Sequence, residues 1–263
     1  MEIIKTPSHR PTSLHVAFCI WILSTVCSLQ SGTSSLQGMK VLFQGQQCQY
    51  WELKQGRMVP PLEQLTVCVD LCRQTNTKKW TAFTYNRVDQ PTQNTPELGL
   101  AGYEDKLQVW LFGESFNASV ELSLWSWNSI CFTWSSKTKQ LVLYVNGSSV
   151  FNTTLTGPRH LAPNGTLTLG AAHEISNGQV HIKTANNFLG ELYFFRMWKE
   201  ERSAHELSED RCNNGSVIQW HSDNWNTHSC NLEPDTKLQC APLEDHPTLP
   251  RPKGIAVKYH IDT

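Results

Sequence analysis

Two short segments constrain this chain more than anything else in it: Thr66-Val67-Cys68-Val69 and Cys131-Phe132-Thr133-Trp134-Ser135-Ser136. Val67, Val69 and Leu71 alternate in and after the first; Ile130, Phe132 and Trp134 alternate through the second. Side chains point to opposite faces along a strand, so each segment turns an apolar face one way and its cysteine the other. Two such strands, cross-linked, describe part of an extracellular β-sandwich. A sandwich of this kind is expected to bind rather than to catalyse.

The rest of the sequence points to the same compartment. Lys5 and Arg10 precede an apolar run from Leu14 to about Leu29, followed by Ser31 and Gly32. This is the layout of a secretory signal peptide over residues 1–30, and it is short for a bilayer span, which needs about 20 apolar residues. Of the nine cysteines, Cys19 and Cys27 fall in that segment. The remaining Cys48, Cys68, Cys72, Cys131, Cys212, Cys230 and Cys240 read as a disulfide framework in an exported chain. Their odd number leaves a thiol free or paired with a second chain. Five Asn-x-Ser/Thr sequons, at Asn117, Asn146, Asn152, Asn164 and Asn214, predict N-glycosylation. Net charge is −1, so no basic face argues for nucleic acid.

A linker over residues 31–37 leads into a run of short β segments: Lys40–Phe43, Leu65–Leu71, Trp80–Tyr85, Leu107–Leu111, Ile130–Trp134, Leu141–Val145, Leu167–Leu169 and a last apolar strand over 192–198. Asn146-Gly147 between apolar runs predicts a tight hairpin, because both residues tolerate the positive φ of a type I′ turn. A Pro/Asn/Gln loop is expected from Asp89 to Glu97. Ser203 and Glu206 stand at capping-box spacing and predict one short helix ending near Arg211. The tail over 241–263 carries Pro242, Pro247, Pro250 and Pro252 and is expected to be disordered. Repeated short strands separated by turn residues predict an all-β fold, a sandwich or a barrel, with one short helix.

Catalytic signatures are missing. No Gly-x-Ser-x-Gly elbow occurs, and no predicted strand sets two acids at alternate positions, as a glycosidase would require. Cys68 and Cys72 share a strand face but sit about 13 Å apart, too far for one zinc ion, and both read as disulfide cysteines. His221 and Asp223 lack further ligands at metal spacing, and Glu206 and Glu209 read as a solvated helix face. Trp80, Trp134 and Trp198 alternate with apolar neighbours and are expected in the core. Trp110 lies on the face opposite Val109 and Leu111, which makes it the candidate interface aromatic.

The segment from Cys131 to Ser136 resembles the pentraxin signature, with Ser129 where that signature has His. Thr66-Val67-Cys68, Tyr144-Val145-Asn146-Gly147, Gly165-Thr166-Leu167-Thr168-Leu169-Gly170 and Leu189-Gly190-Glu191-Leu192-Tyr193-Phe194-Phe195-Arg196-Met197-Trp198 fall in pentraxin order. Trp80–Tyr85 and the closing stretch from Cys212 to Cys240 resemble more closely the pentraxin-like domain of subfamily G adhesion G-protein-coupled receptors. The resemblance implies an all-β, two-sheet antiparallel jelly-roll sandwich of the pentraxin, laminin G and concanavalin kind over residues 38–240. It also implies the pairs Cys68–Cys131 and Cys212–Cys240, and leaves Cys48, Cys72 and Cys230 unassigned. Pentraxins hold calcium just after the Leu-Gly that is Leu169-Gly170 in this chain. Ala171, Ala172, His173 and Glu174 follow here, and they offer little to a cation that takes roughly 6 to 8 oxygen ligands. Calcium is therefore not expected, and no other cofactor is implied.

The expected function is non-enzymatic recognition or adhesion, secreted or on the extracellular face of the plasma membrane, toward a protein or glycan ligand. The odd cysteine and the pentraxin habit of self-association also permit a homodimer. The alternative is a soluble calcium-dependent lectin of innate immunity. A receptor of this kind continues into a stalk and seven membrane helices, of which the sequence has none; receptor fragment, splice form and stand-alone protein all stay open.

Overall fold

The computed structural model describes residues 35–87, 95–177, 179–228 and 230–241. The expected signal peptide, most of the loop expected from Asp89 and nearly all of the Pro-rich tail lie outside the described residues. Among the described residues there are sixteen strands, several of them marked by alternating apolar residues: β1 (Met39–Phe43), β2 (Trp51–Leu53), β3 (Gln64–Arg73), β4 (Lys79–Arg87), β5 (Leu98–Tyr103), β6 (Lys106–Leu111), β7 (Glu114–Ala118), β8 (Trp127–Ser135), β9 (Gln140–Val145), β10 (Ser148–Thr154), β11 (Gly165–Leu169), β12 (Ala172–Ser176), β13 (Gln179–Lys183), β14 (Gly190–Trp198), β15 (Trp225–Asn226) and β16 (Leu232–Pro234). Among the described residues one α-helix, α1 (Ala204–Glu209), follows β14, and a 3-10 turn over Ser222–Asn224 precedes β15.

The strands form two seven-stranded antiparallel sheets. One runs β10-β9-β8-β3-β14-β1-β16, the other β15-β2-β11-β4-β5-β6-β7, and β12 pairs with β13 as a separate hairpin. Between the sheets Phe83 of β4 stacks on Phe132 of β8 at 6.3 Å, and Phe195 meets Phe83 edge-on at 5.0 Å. Val67, Val69, Leu71, Ile130, Phe132 and Trp134 all face this core. Such rings bury large apolar areas and prefer offset or edge contacts, so they dominate the cohesion of the sandwich.

The two opening segments pair directly: Cys68 lies opposite Cys131, with Val67 beside Phe132 and Val69 beside Ile130. Their disulfide sits on the outer face of the sheet, where Trp198 and Leu207 cover it. Asn146 and Gly147 join β9 to β10 with φ of 51° and 80°, the geometry a two-residue hairpin of right-handed twist demands. Ser203 and Glu206 form a reciprocal capping box at the start of α1.

Two readings need correction. The strand over 192–198 is not the last, because β15 and β16 follow and close the edges beside β2 and β1. Trp198 is buried but lies outside the main core. The cause is a bulge in β14, where the pairing with β3 shifts between Tyr193 and Arg196 and Phe194 takes a φ of 53°. An inserted residue breaks strict alternation, so Arg196 and Trp198 face outward opposite Cys68 and Thr66.

Candidate recognition surface

Where a calcium site would follow Gly170, the chain forms β12 instead. Ala171 is wholly buried and His173 is 3% exposed. His173 Nδ1 lies 2.9 Å from Thr84 Oγ1 and 2.8 Å from Thr168 Oγ1, and Asn86 Nδ2 donates to its carbonyl. Burial, helped by the nearby Lys183 charge, pushes the His173 pKa down to about 4, so the ring is neutral. Glu174 turns outward and pairs with Lys183 across the hairpin at 3.0 Å. Among the described residues no group of three or more His, Cys, Asp or Glu side chains is placed to hold a metal ion.

The outer face over the Cys68–Cys131 disulfide carries two buried ionisable side chains, Asp70 and Arg196. Asp70 is 7% exposed and Arg196 is 4% exposed. Burial raises the Asp70 pKa against the opposing pull of Arg196 and Ser129, and burial brings Arg196 down to about 10. Arg196 Nη1 donates to the carbonyls of Arg211 and Asn213, and its guanidinium lies 4.0 Å from the Phe194 ring centroid. Arg196 therefore ties β14 to the segment after α1. A cleft of about 170 Å³ beside it is lined by Ser129, Tyr144, Leu207 and Arg211 among others. Glu191 and Asp235 also converge on this sheet, but both close on Lys40 Nζ, at 2.8 and 3.1 Å. Burial opposes the Lys40 ammonium, yet its bonds to the two carboxylates outweigh that and raise its pKa.

Trp110 stands on the outer face of β6, half-buried across β5; a Cβ on Gly99 would lie 2.6 Å from its Cε3. Among the described residues Tyr103 is 41% exposed, and the most exposed aromatic is Trp125, at 69%. Its φ of 61° is unusual for a bulky side chain and costs about 1–3 kcal/mol. The conformation is held from below, where Trp125 N–H donates to the Arg73 carbonyl at 2.8 Å. The Arg73 guanidinium in turn donates to the carbonyls of Leu122, Thr75 and Thr77 and lies 5.3 Å from the Trp80 ring. Leu124, 36% exposed, flanks Trp125. Sequence periodicity does not find this loop, since it belongs to no strand.

The other sequence-predicted residues fall as follows. Cys48 pairs with Cys230 and Cys212 with Cys240. Cys72 is a free, buried thiol, which corrects its reading as a disulfide cysteine; it lies opposite Trp127 on one side and Glu191 on the other. A thiol so enclosed does not reach a second chain. His221 faces Asn214, with Nε2 3.1 Å from the amide nitrogen, and Asp223 accepts from Arg57 at 2.6 Å. Glu206 is used in the cap of α1, and Glu209 lies 3.3 Å from His205. Asn117 is on β7, Asn152 on β10, Asn146 and Asn164 in turns, and Asn214 between α1 and β15.

Comparison with known proteins agrees with this geometry. Over 239 residues, 88% of its length, the chain is 32% identical to adhesion G-protein coupled receptor G4 of Mus musculus, of which it spans 7%. The resemblance to subfamily G adhesion receptors is thereby borne out. Among solved structures, the heptameric SAP-like pentraxin of Limulus polyphemus superposes with a TM-score of 0.62 at 20% identity, covering 77% of this chain and 97% of that one. The full extracellular region of zebrafish Gpr126/Adgrg6 gives 0.60 at 18%, covering 77% and 27%. These two share the fold, a two-sheet antiparallel jelly roll. The laminin G profile described as the concanavalin A-like lectin/glucanases superfamily matches residues 46–208, and the chain belongs to that superfamily.

Proposed function

We propose that this chain is a non-enzymatic extracellular recognition module of the adhesion-receptor kind, exported and glycosylated, whose ligand is an extracellular protein or a glycan. The similarity to an adhesion receptor across 88% of the chain carries the reading. The chemistry of the surfaces supports it. Glu191 and Asp235 both close on Lys40, so neither stands free as the acid of a glycosidase pair. Trp125, propped in a strained conformation and open to solvent, is the contact we assign to the ligand, since strain in a bulky residue persists where the surroundings maintain it and exposed Trp is a favoured interface anchor. The calcium-dependent lectin reading has less support, because Ala171 and His173 are buried and Glu174 is paired with Lys183.

The test is a binding screen. The full chain, secreted from an oxidising and glycosylating host, is probed against arrays of matrix proteins, cell-surface proteins and glycans, with calcium and with chelator. Saturable binding in both conditions is expected, weakened about ten-fold or more by Trp125→Ala, the scale of an interface anchor, with the melting temperature unchanged. Binding that disappears with chelator would favour the lectin reading. Release of reducing sugar from any arrayed glycan would end the non-enzymatic one.

A further inference from the structure

Each seven-stranded sheet has two edges, and the edges differ. At one end of each sheet the terminal strand is very short: β16 has three residues, including Glu233 and Pro234, and β15 has two. At the other end it is longer: β10 has seven residues and β7 has five. An edge strand presents unpaired N–H and C=O groups and is a template for pairing with another chain. Short strands, charges and proline blunt β15 and β16. The two longer edges instead carry one sequon each: Asn152-Thr153-Thr154 on β10 and Asn117-Ala118-Ser119 on β7.

The placement of these two asparagines is specific. Asn117 lies opposite Gln108, between the core-facing Leu107 and Val109, so it stands on the outer face. Asn152 lies opposite Val142, between the core-facing Leu141 and Leu143, so it does too. Both are exposed. Asn117 uses Oδ1 to accept from Gln108 Nε2, a bond that does not engage Nδ2, the atom to which a glycan attaches. Asn214 is the contrast: it is half-buried, its Oδ1 accepts from Trp220 N–H, and its Nδ2 faces His221.

We infer that the N-glycans at Asn117 and Asn152 act as edge guards: they cover the two longer free sheet edges and keep the chain from pairing edge-to-edge with a second copy, while Asn214 stays unmodified. A strand added at either edge would lie about 4.8 Å away, inside the volume that a branched glycan on the outer face sweeps. The bulge in β10 between Ser149 and Phe151 and the Glu114–Arg159 pair at the start of β7 discourage pairing in the same way, but they cover only the beginnings of the strands. The inference rests on the chain being exported.

The experiment uses the full chain secreted from a glycosylating host. Glycopeptide mass spectrometry is expected to find glycan at Asn117 and Asn152 and none at Asn214. Sedimentation velocity is expected to show a monomer for the wild type and for Asn164→Gln, and an approximately two-fold or larger mass for Asn117→Gln/Asn152→Gln, the step to a dimer or beyond. Lysine at both positions, a charged edge residue, is expected to restore the monomer without glycan. Where the double variant is not secreted, endoglycosidase trimming of the folded wild type gives the same readout. A trimmed or double-variant chain that stays monomeric overturns the inference, as does equal association of Asn164→Gln. Secreted chain with no glycan at Asn117 and Asn152 overturns it while leaving export intact; wild-type chain retained inside the host overturns the export on which it rests.

Discussion

His173 shows how one buried side chain ties this fold to pH. Its ring is enclosed against Thr84 and Thr168, its Nε2 is buried without a partner, and its pKa falls from 6.5 to about 4. The folded chain resists a proton that the unfolded chain accepts. Stability from this group is therefore complete above about pH 6.5, declines as pH falls toward 4, and changes no further below that. The shift corresponds to about 3 kcal/mol. Asp70 works in the opposite sense, because burial raises its pKa and so favours the protonated folded form. Urea unfolding of wild type and His173→Asn at pH 7, 5.5 and 4.5 separates the two. The wild type is expected to lose stability relative to the variant at each step down; parallel curves would show that His173 titrates alike in both states. Sequence reading placed His173 in the degenerate calcium segment but not its burial, since that depends on β12 folding over Thr84 of a strand 89 positions upstream.

At the scale of elements, what was legible followed a local rule. The alternation of β3, β4, β6, β8 and β9, the Asn146-Gly147 hairpin and the capping box of α1 are each written within a few consecutive residues. What was not legible depended on distant partners. The bulge at Phe194 carries no sequence mark, and it moved Trp198 off the main core. β15 and β16 are too short to show a period, and they are held by long-range ties, among them Cys48–Cys230. That disulfide closes a span of 182 positions, against 28 for Cys212–Cys240. Loop-closure entropy grows with the logarithm of the span, so removing Cys48–Cys230 is expected to cost about 1.5 kcal/mol more than removing Cys212–Cys240, each within a range of about 2–5 kcal/mol. Urea midpoints of Cys48→Ala/Cys230→Ala and Cys212→Ala/Cys240→Ala measure this. Equal losses would mean that packing of Trp220 and Trp225, which stack near Trp51, already anchors the C-terminal strands without the long disulfide.

For the molecule as a whole, the jelly roll was readable from its strands, whereas the proposed contact at Trp125 was not, because Trp125 owes its position to Arg73 and the loops that Arg73 binds. The scaffold and its chemistry have separated in the same way on the β12–β13 side. A calcium ion needs several convergent oxygens, and the segment after Gly170 gives a buried alanine, a buried imidazole and a carboxylate bonded to Lys183. Drawing Glu174 to a cation would break that ion pair, and the exposed pair is worth under about 1 kcal/mol, so the pair alone does not forbid it. The decisive obstacle is Ala171 and Ala172, which supply no side-chain oxygen, together with His173, whose ring is committed to the two threonines. A ligand held at 100 times its Kd would stabilise the fold by about 2.7 kcal/mol, well within the reach of thermal melting. Melting in millimolar calcium and in chelator is therefore expected to give the same midpoint. Restoring acids through Ala171→Asp/Ala172→Asp is expected to lower the midpoint in chelator, because Ala171 is wholly buried and an unpaired carboxylate there is costly. A calcium-dependent midpoint in the wild type would mean that the oxygens come from backbone carbonyls of this hairpin, and would return the lectin reading to first place.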